Sequence, residues 1–179
     1  MLALRQYSVG NARRTNEMDT DFFNPARKYK DFRPRMAARG SKSTGVPTNR
    51  ATVSLYNNST GTFVLVLRDF TLNGTAADNI AVSYQPGQVG SSQGLVASML
   101  PTDAPQPGLI ASIDTLTVYA ADYTVPLNTT GEWEWFHEFP FAVITPGFSL
   151  VWQCTVAAHA IVVSAVWEAI QIDQLDYFY

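Results

Sequence analysis

The side chains able to do chemistry are few and scattered. The two histidines are His137 and His159, and the single cysteine is Cys154. Neither histidine belongs to an H-E-x-x-H pair or to another metal-ligand spacing. The densest candidate is Glu132-Trp133-Glu134-Trp135-Phe136-His137-Glu138. Read as a strand, Glu132 and Glu134 share one face, and Trp133, Trp135 and His137 share the other. Neighbouring carboxylates on one face suit metal ligation or acid/base work. The same spacing describes a solvated face over a row of aromatic core residues, which is the favoured reading. A hydrolase would need His137 or His159 beside Glu132, Glu134 or Asp122 in an open cleft. Phosphate-cradling glycine loops and a C-x-x-C pair are missing from the chain. Cys154 lies in an apolar stretch and reads as a small buried side chain. The sequence therefore predicts a protein that is not an enzyme, with no catalytic residue, metal or cofactor.

The charge map is more informative. Of the 12 basic residues, 11 lie in the first 50, against four acidic ones, which gives that stretch +7. The remainder has Arg68 alone against 11 acidic residues, or −10. Such asymmetry predicts an interaction arm joined to a separate folded body. Residues 1–49 show no sustained apolar periodicity, and Ser41 to Thr48 reads as a flexible connector. The expected organisation is a basic extended arm, 1–49, and a β-domain, 50–179. The arm also carries Phe22, Phe23, Arg27, Tyr29, Phe32, Arg33 and Arg35. Aromatics and arginines are the usual energetic anchors of protein interfaces, so these residues are the expected protein-binding set. Copies of the acidic body, or other proteins with acidic surfaces, are the expected partners. Nucleic acid is a second candidate, disfavoured by the Asp and Glu interspersed in the arm.

The body reads as strands. Short β-branched and aromatic runs alternate with Gly, Pro, Asn and Thr clusters. Strands are expected at Ala51–Tyr56, Thr62–Phe70, Asn79–Tyr84, Ile113–Tyr119, Glu132–Phe136, Phe148–Thr155 and Ala160–Glu168. Asn73-Gly74 and Pro146-Gly147 read as turns. In the last two strands Phe148, Leu150, Trp152 and Cys154 share a face, as do Ile161, Val163, Ala165 and Trp167. Ala-rich composition admits a helix over 156–170, but β-branching and period two favour strand. The expected fold class is all-β: an antiparallel β-sandwich or jelly roll with an extended N-terminal arm.

Gln85 to Gly108 breaks the rhythm with four prolines and no strand pattern. Loops of this length are uncommon and usually functional. Leu95, Val96, Met99 and Leu100 within it are poorly placed in water, so the segment is read as a subunit-contact loop of a homo-oligomer. Trp133, Trp135, Trp152 and Trp167 sit in strand-like runs and are read as core, ahead of a sugar-binding platform. No run is long and apolar enough for a signal peptide or a membrane span. The chain is thus expected to be made in a cytoplasm and to have no membrane partner.

Thr145-Pro146-Gly147-Phe148-Ser149-Leu150-Val151-Trp152, followed by Ile161-Val162-Val163-Ser164-Ala165-Val166-Trp167-Glu168, resembles β-rich structural proteins of tailed bacteriophages. The resemblance implies a virion protein in many copies. It would be a capsid cement or decoration protein, or a head–tail or fibre-attachment component, made in the host cytoplasm. It implies no catalytic residue. The alternative is a receptor- or carbohydrate-binding β-sandwich of a fibre, which exposed Trp side chains on one face would favour.

Overall fold

The computed structural model describes residues 36–44, 48–98, 107–127, 132–135 and 140–172. These residues form antiparallel strands and no α-helix. In chain order the strands are β1 (Met36–Ser43), β2 (Arg50–Tyr56), β3 (Phe63–Gly74), β4 (Asp78–Pro86), β5 (Ser92–Gln93), β6 (Leu95–Ser98), β7 (Leu109–Thr115), β8 (Tyr123–Leu127), β9 (Glu132–Trp135), β10 (Ala142–Ile144), β11 (Phe148–Cys154) and β12 (Ile161–Gln171). They make two six-stranded sheets, so the body is an all-β sandwich. The first sheet runs β10-β3-β12-β1-β6, with β9 also on β3; the second runs β5-β7-β2-β11-β4-β8.

The pairing is nested. β4 pairs with β8, β3 with β9 and β10, β2 with β11, and β1 with β12. The chain is thus a long folded-back ribbon rolled into two layers. The segment between β4 and β8 adds β6 beside β1 in one sheet, and β5 and β7 beside β2 in the other.

Apolar alternation sets the faces. Val53 and Leu55 on β2, Ile80 and Val82 on β4, Leu150 and Trp152 on β11, and Ile161, Val163, Ala165 and Trp167 on β12 all enter one core. On β3 the inward set changes parity, from Leu65 and Leu67 to Phe70 and Leu72. A bulge resolves this: Leu67 pairs with Trp167 and Asp69 with Val166, so Arg68 is the extra residue. Without it, Asp69 and Thr71 would point into the core. The partner edge breaks at the same point. β10 pairs with Leu65–Leu67 and β9 with Phe70–Asn73.

Several expectations shift. β1 lies inside the stretch read as arm, and the compact unit begins at Met36 rather than at residue 50. Met36-Ala37-Ala38-Arg39-Gly40-Ser41-Lys42-Ser43 has no β-branched or aromatic residue to announce a strand. It is extended because β12 and β6 bond it on both sides, with fully buried Ala38 opposite Trp167. The Gln85–Gly108 segment carries β5 and β6 instead of being a structureless loop. The strand expected at Ile113–Tyr119 runs instead from Leu109 to Thr115, and Leu116 and Val118 are exposed. Asn73-Gly74 ends β3 rather than forming the turn. β8 and β10 are short edge strands that carried too little pattern to be read.

Trp167 also locks the inserted segment to the core. Its indole Nε1–H donates to the Pro107 carbonyl at 2.9 Å, and Gly108 N–H donates to Asn58 Oδ1 at 2.7 Å. Gly108 has φ of 113°, and a Cβ there would meet Trp167 Nε1 at 2.6 Å. Strain and collision both oppose any side chain. Gly108→Ala is therefore expected to cost about 2–4 kcal/mol, read as a lowered urea midpoint. A chain starting at Met36 is expected to unfold cooperatively like the full chain. One starting at Arg50 strips β1 from between β12 and β6, and should lose several kcal/mol or fail to fold. Equal stability of the two truncations would refute the placement of β1.

Candidate functional site

The polar cluster closest to chemistry surrounds Asp78, at the start of β4. Its side chain is 1% exposed and within 3.2 Å of His159 Nδ1. Thr155 Oγ1–H donates to Asp78 Oδ1 at 2.6 Å, and Asn79 N–H to the same oxygen at 2.7 Å. Val156 N–H at 3.3 Å and His159 Nδ1–H at 3.2 Å donate to Oδ2. These donors surround a carboxylate that is itself buried, beside a partly exposed His159. The cluster pins the β11–β12 connection to the start of β4. Cys154 lies beside it, and burial, with the Asp78 charge, pushes its thiol well above the ordinary range. It stays protonated and unreactive.

The other sequence candidates are not brought together with this cluster. Asp122 accepts from Tyr84 N–H at 2.9 Å, and Glu134 is exposed on β9. His137 and the Glu132 side chain lie outside the described residues. Among the described residues no group of three or more His, Cys, Asp and Glu is placed to hold a metal ion.

The tryptophans divide. Trp152 and Trp167 are fully buried. Trp133 and Trp135 are half-buried and close the open side of the sandwich with other aromatics. Ring centroids are 5.2 Å apart for Phe70–Trp133, 4.9 Å for Trp135–Phe141 and 5.2 Å for Tyr123–Phe141. The last contact, with the Tyr84 hydroxyl donating to the Val143 carbonyl at 3.3 Å, bridges the two sheets. Burial raises the hydroxyl pKa of both Tyr84 and Tyr123. Trp135–Phe141 and Tyr123–Phe141 meet edge to face, whereas Trp133 and Trp135 are stacked with centroids 6.2 Å apart.

The arm residues Phe22, Phe23, Arg27, Tyr29, Phe32, Arg33 and Arg35 lie outside the described residues, as do Met99 and Leu100. Leu95 and Val96 are on β6, and Val96 packs against the core of its own chain.

One surface was not anticipated. Val64, Val66 and Ile170 alternate with the inward residues of β3 and β12, so they face away from the core; they are 1–3% exposed and pack with Val143 of β10. Beside them, on the same outer face, Arg68 Nη2 donates to Glu168 Oε2 at 3.0 Å and Nε at 3.3 Å. Asp69 and Glu134 add carboxylates, Glu134 pairing in register with outward Thr71. The signal was present in the sequence. Phe63-Val64-Leu65-Val66-Leu67 is apolar at every position, the mark of a strand covered on both faces.

No protein-family model matches the chain, and no curated protein or solved structure is significantly similar to it.

Burial raises the Asp69 carboxyl pKa; the Arg68 charge opposes the rise and Glu168 adds to it. The folded state thus holds this proton more tightly than the unfolded chain. Stability from this group is greatest below the ordinary Asp range and falls as pH rises through the raised value. Asp69→Asn is expected to raise Tm at about pH 7 and to give no gain near pH 3 or below, where the carboxyl is protonated in both states. A variant less stable at neutral pH would contradict this.

Proposed function

We propose that this protein is a non-catalytic structural subunit of a virion-type assembly, and that its basic N-terminal segment docks on neighbouring subunits. The observation that carries the reading is the charge division: the stretch ahead of Met36 has eight basic and four acidic residues, or +4, with interleaved aromatics, and the body from Met36 has four against 11, or −7. That stretch leads directly into β1, a strand inside the first sheet, so a pull on the arm is borne by the sheet. The nested pairing supports the reading, since it is the connectivity of a jelly roll, an architecture used by viral capsid domains, lectins and cupins. Fold alone does not name a function. The partners are copies of the chain and other virion proteins with acidic surfaces; nucleic acid ranks behind them. The proposed location is the virion, after synthesis in the host cytoplasm.

Charge steers such an arm and aromatics hold it. Exposed ion pairs contribute about 0–1 kcal/mol each and are screened by salt. Burying Phe22, Phe23, Tyr29 or Phe32 contributes about 1.5–3 kcal/mol each. Sedimentation velocity of the full chain should show association that forms more slowly in high salt but persists once made. The full-length Phe22/Phe23/Phe32→Ala variant, with its charges intact, should remain monomeric. Association unchanged in that variant would reject the arm as the grip, and an absorbance ratio showing co-purified nucleic acid would favour the tether.

A further inference from the structure

Three aromatic side chains stand in a row at one end of the second sheet. Tyr84, Tyr123 and Phe148 are 40%, 37% and 41% exposed, so each leaves ring surface open to a ligand. Each continues the inward parity of its strand, which is set by Ile80 and Val82 on β4, Val125 and Leu127 on β8, and Leu150 and Trp152 on β11. The register fixes their spacing. Tyr123 lies opposite Val82, Tyr84 opposite Leu150 and Phe148 opposite Pro86. Tyr84 is therefore the diagonal neighbour of both other rings, and diagonal neighbours are about 7–8 Å apart. The row crosses three adjacent strands, β8, β4 and β11.

Two of the rings are held in place. The Tyr84 hydroxyl donates to the Val143 carbonyl of the other sheet at 3.3 Å, and the Tyr123 ring meets Phe141 edge to face at 5.2 Å. Rings fixed in this way lose little further rotamer freedom when a ligand covers them. Asp122 supplies the polar group. It is exposed beside Tyr123 and accepts from Tyr84 N–H through Oδ2 at 2.9 Å. Among the described residues no donor reaches its Oδ1. Burial keeps both tyrosine hydroxyls protonated, so they add neutral oxygens rather than charge. β4, β8 and β11 contain no Lys or Arg. The surface thus offers ring faces and hydrogen-bond acceptors, without a cation.

We infer that this row binds a neutral saccharide, whose C–H faces stack on Tyr84, Tyr123 and Phe148 and whose hydroxyls donate to Asp122. A sugar ring has apolar faces and a girdle of O–H donors, so it uses both kinds of group at once. Other ligands that stack on aromatics fit less well. Single-stranded nucleic acid needs cations for its phosphates, and the body from Met36 carries −7. Acidic glycans meet the same repulsion. An organic cation is held best by rings converging on one point, whereas these are set out in succession along three strands. The inference goes beyond the arm grip and does not rest on it, because it uses the surface of the body alone.

The test is saturation-transfer NMR on the full chain with maltotriose, cellotriose and tri-N-acetylchitotriose as probes. Protein aromatic protons are irradiated, and transfer is read on the sugar ring C–H protons. At least one of these trisaccharides should show transfer. It should fall about tenfold or more in Phe148→Ser and in Tyr123→Ala, and about threefold in Asp122→Asn, which keeps an acceptor for Tyr84 N–H. Circular dichroism checks that each variant retains its β-signature; if Tyr123→Ala loses it, the exposed Phe148 position decides. No transfer to any of the three probes, or unchanged transfer in a folded variant, would overturn the inference. Transfer to sialyllactose or choline alone would overturn the ligand class. The Phe22/Phe23/Phe32→Ala chain should bind the sugar as the unaltered chain does, so failure of the arm grip and failure of this site are told apart.

Discussion

The pairing of β3 with β12 is the contact on which the other elements depend, and it works only because one residue is left over. β12 keeps a single parity from Ile161 to Trp167, whereas β3 must switch parity between Leu67 and Phe70. The spare Arg68 absorbs the switch. The bulge also breaks the neighbouring edge into β10 and β9, which turns Trp133 and Trp135 toward Phe70 and lets Phe141 enter between the sheets. Arg68 itself is turned outward onto Glu168. A single local irregularity thus decides how the open side of the sandwich is closed, and which charges stand on the outer face.

The elements legible in the sequence are those whose burial alternates. β11 is legible to within one residue and β12 to within three at its end, because Leu150, Trp152, Ile161, Val163 and Trp167 repeat at period two. β1 was illegible for the opposite reason. Ala38 is small and fully buried opposite Trp167, and that requirement exists only in the folded sheet. β7 was placed several residues late. The stretch Leu116 to Tyr119 alternates like a strand, yet it crosses over the second sheet as a connection, with Gln153 donating to the Thr117 carbonyl and accepting from Tyr119 N–H. A buried glutamine satisfying a loop has no periodic signature.

The candidate surface was half legible. The charge division, the Phe/Arg interleaving and the absence of an assembled catalytic motif are properties of composition and order, so they survive without a structure. The outer apolar patch carries no such mark, because a run that is apolar at every position has no alternation to distinguish its faces. Phe63 to Leu67 is one such run, and its even-numbered valines carry the outer patch. Carboxylates misled in a different way. Asp114 accepts from Thr48 N–H and Asn49 N–H, Asp122 from Tyr84 N–H, and Asp78 from four donors. These three side chains hold loops in place, a role that a count of charges does not reveal.

The nesting of the strands also sets a timetable. Pairing the first strand with the last makes contacts across more than a hundred residues of sequence, and topologies of this kind fold slowly because loop closure must precede the reward of pairing. On a ribosome β1 is made well before β12. The outer face of the first sheet comes into being only when Ile170 lies beside Val64. Until β12 has been made, a nascent chain has β1 and β3 but not the strand that lies between them, so neither the first sheet nor its outer face exists.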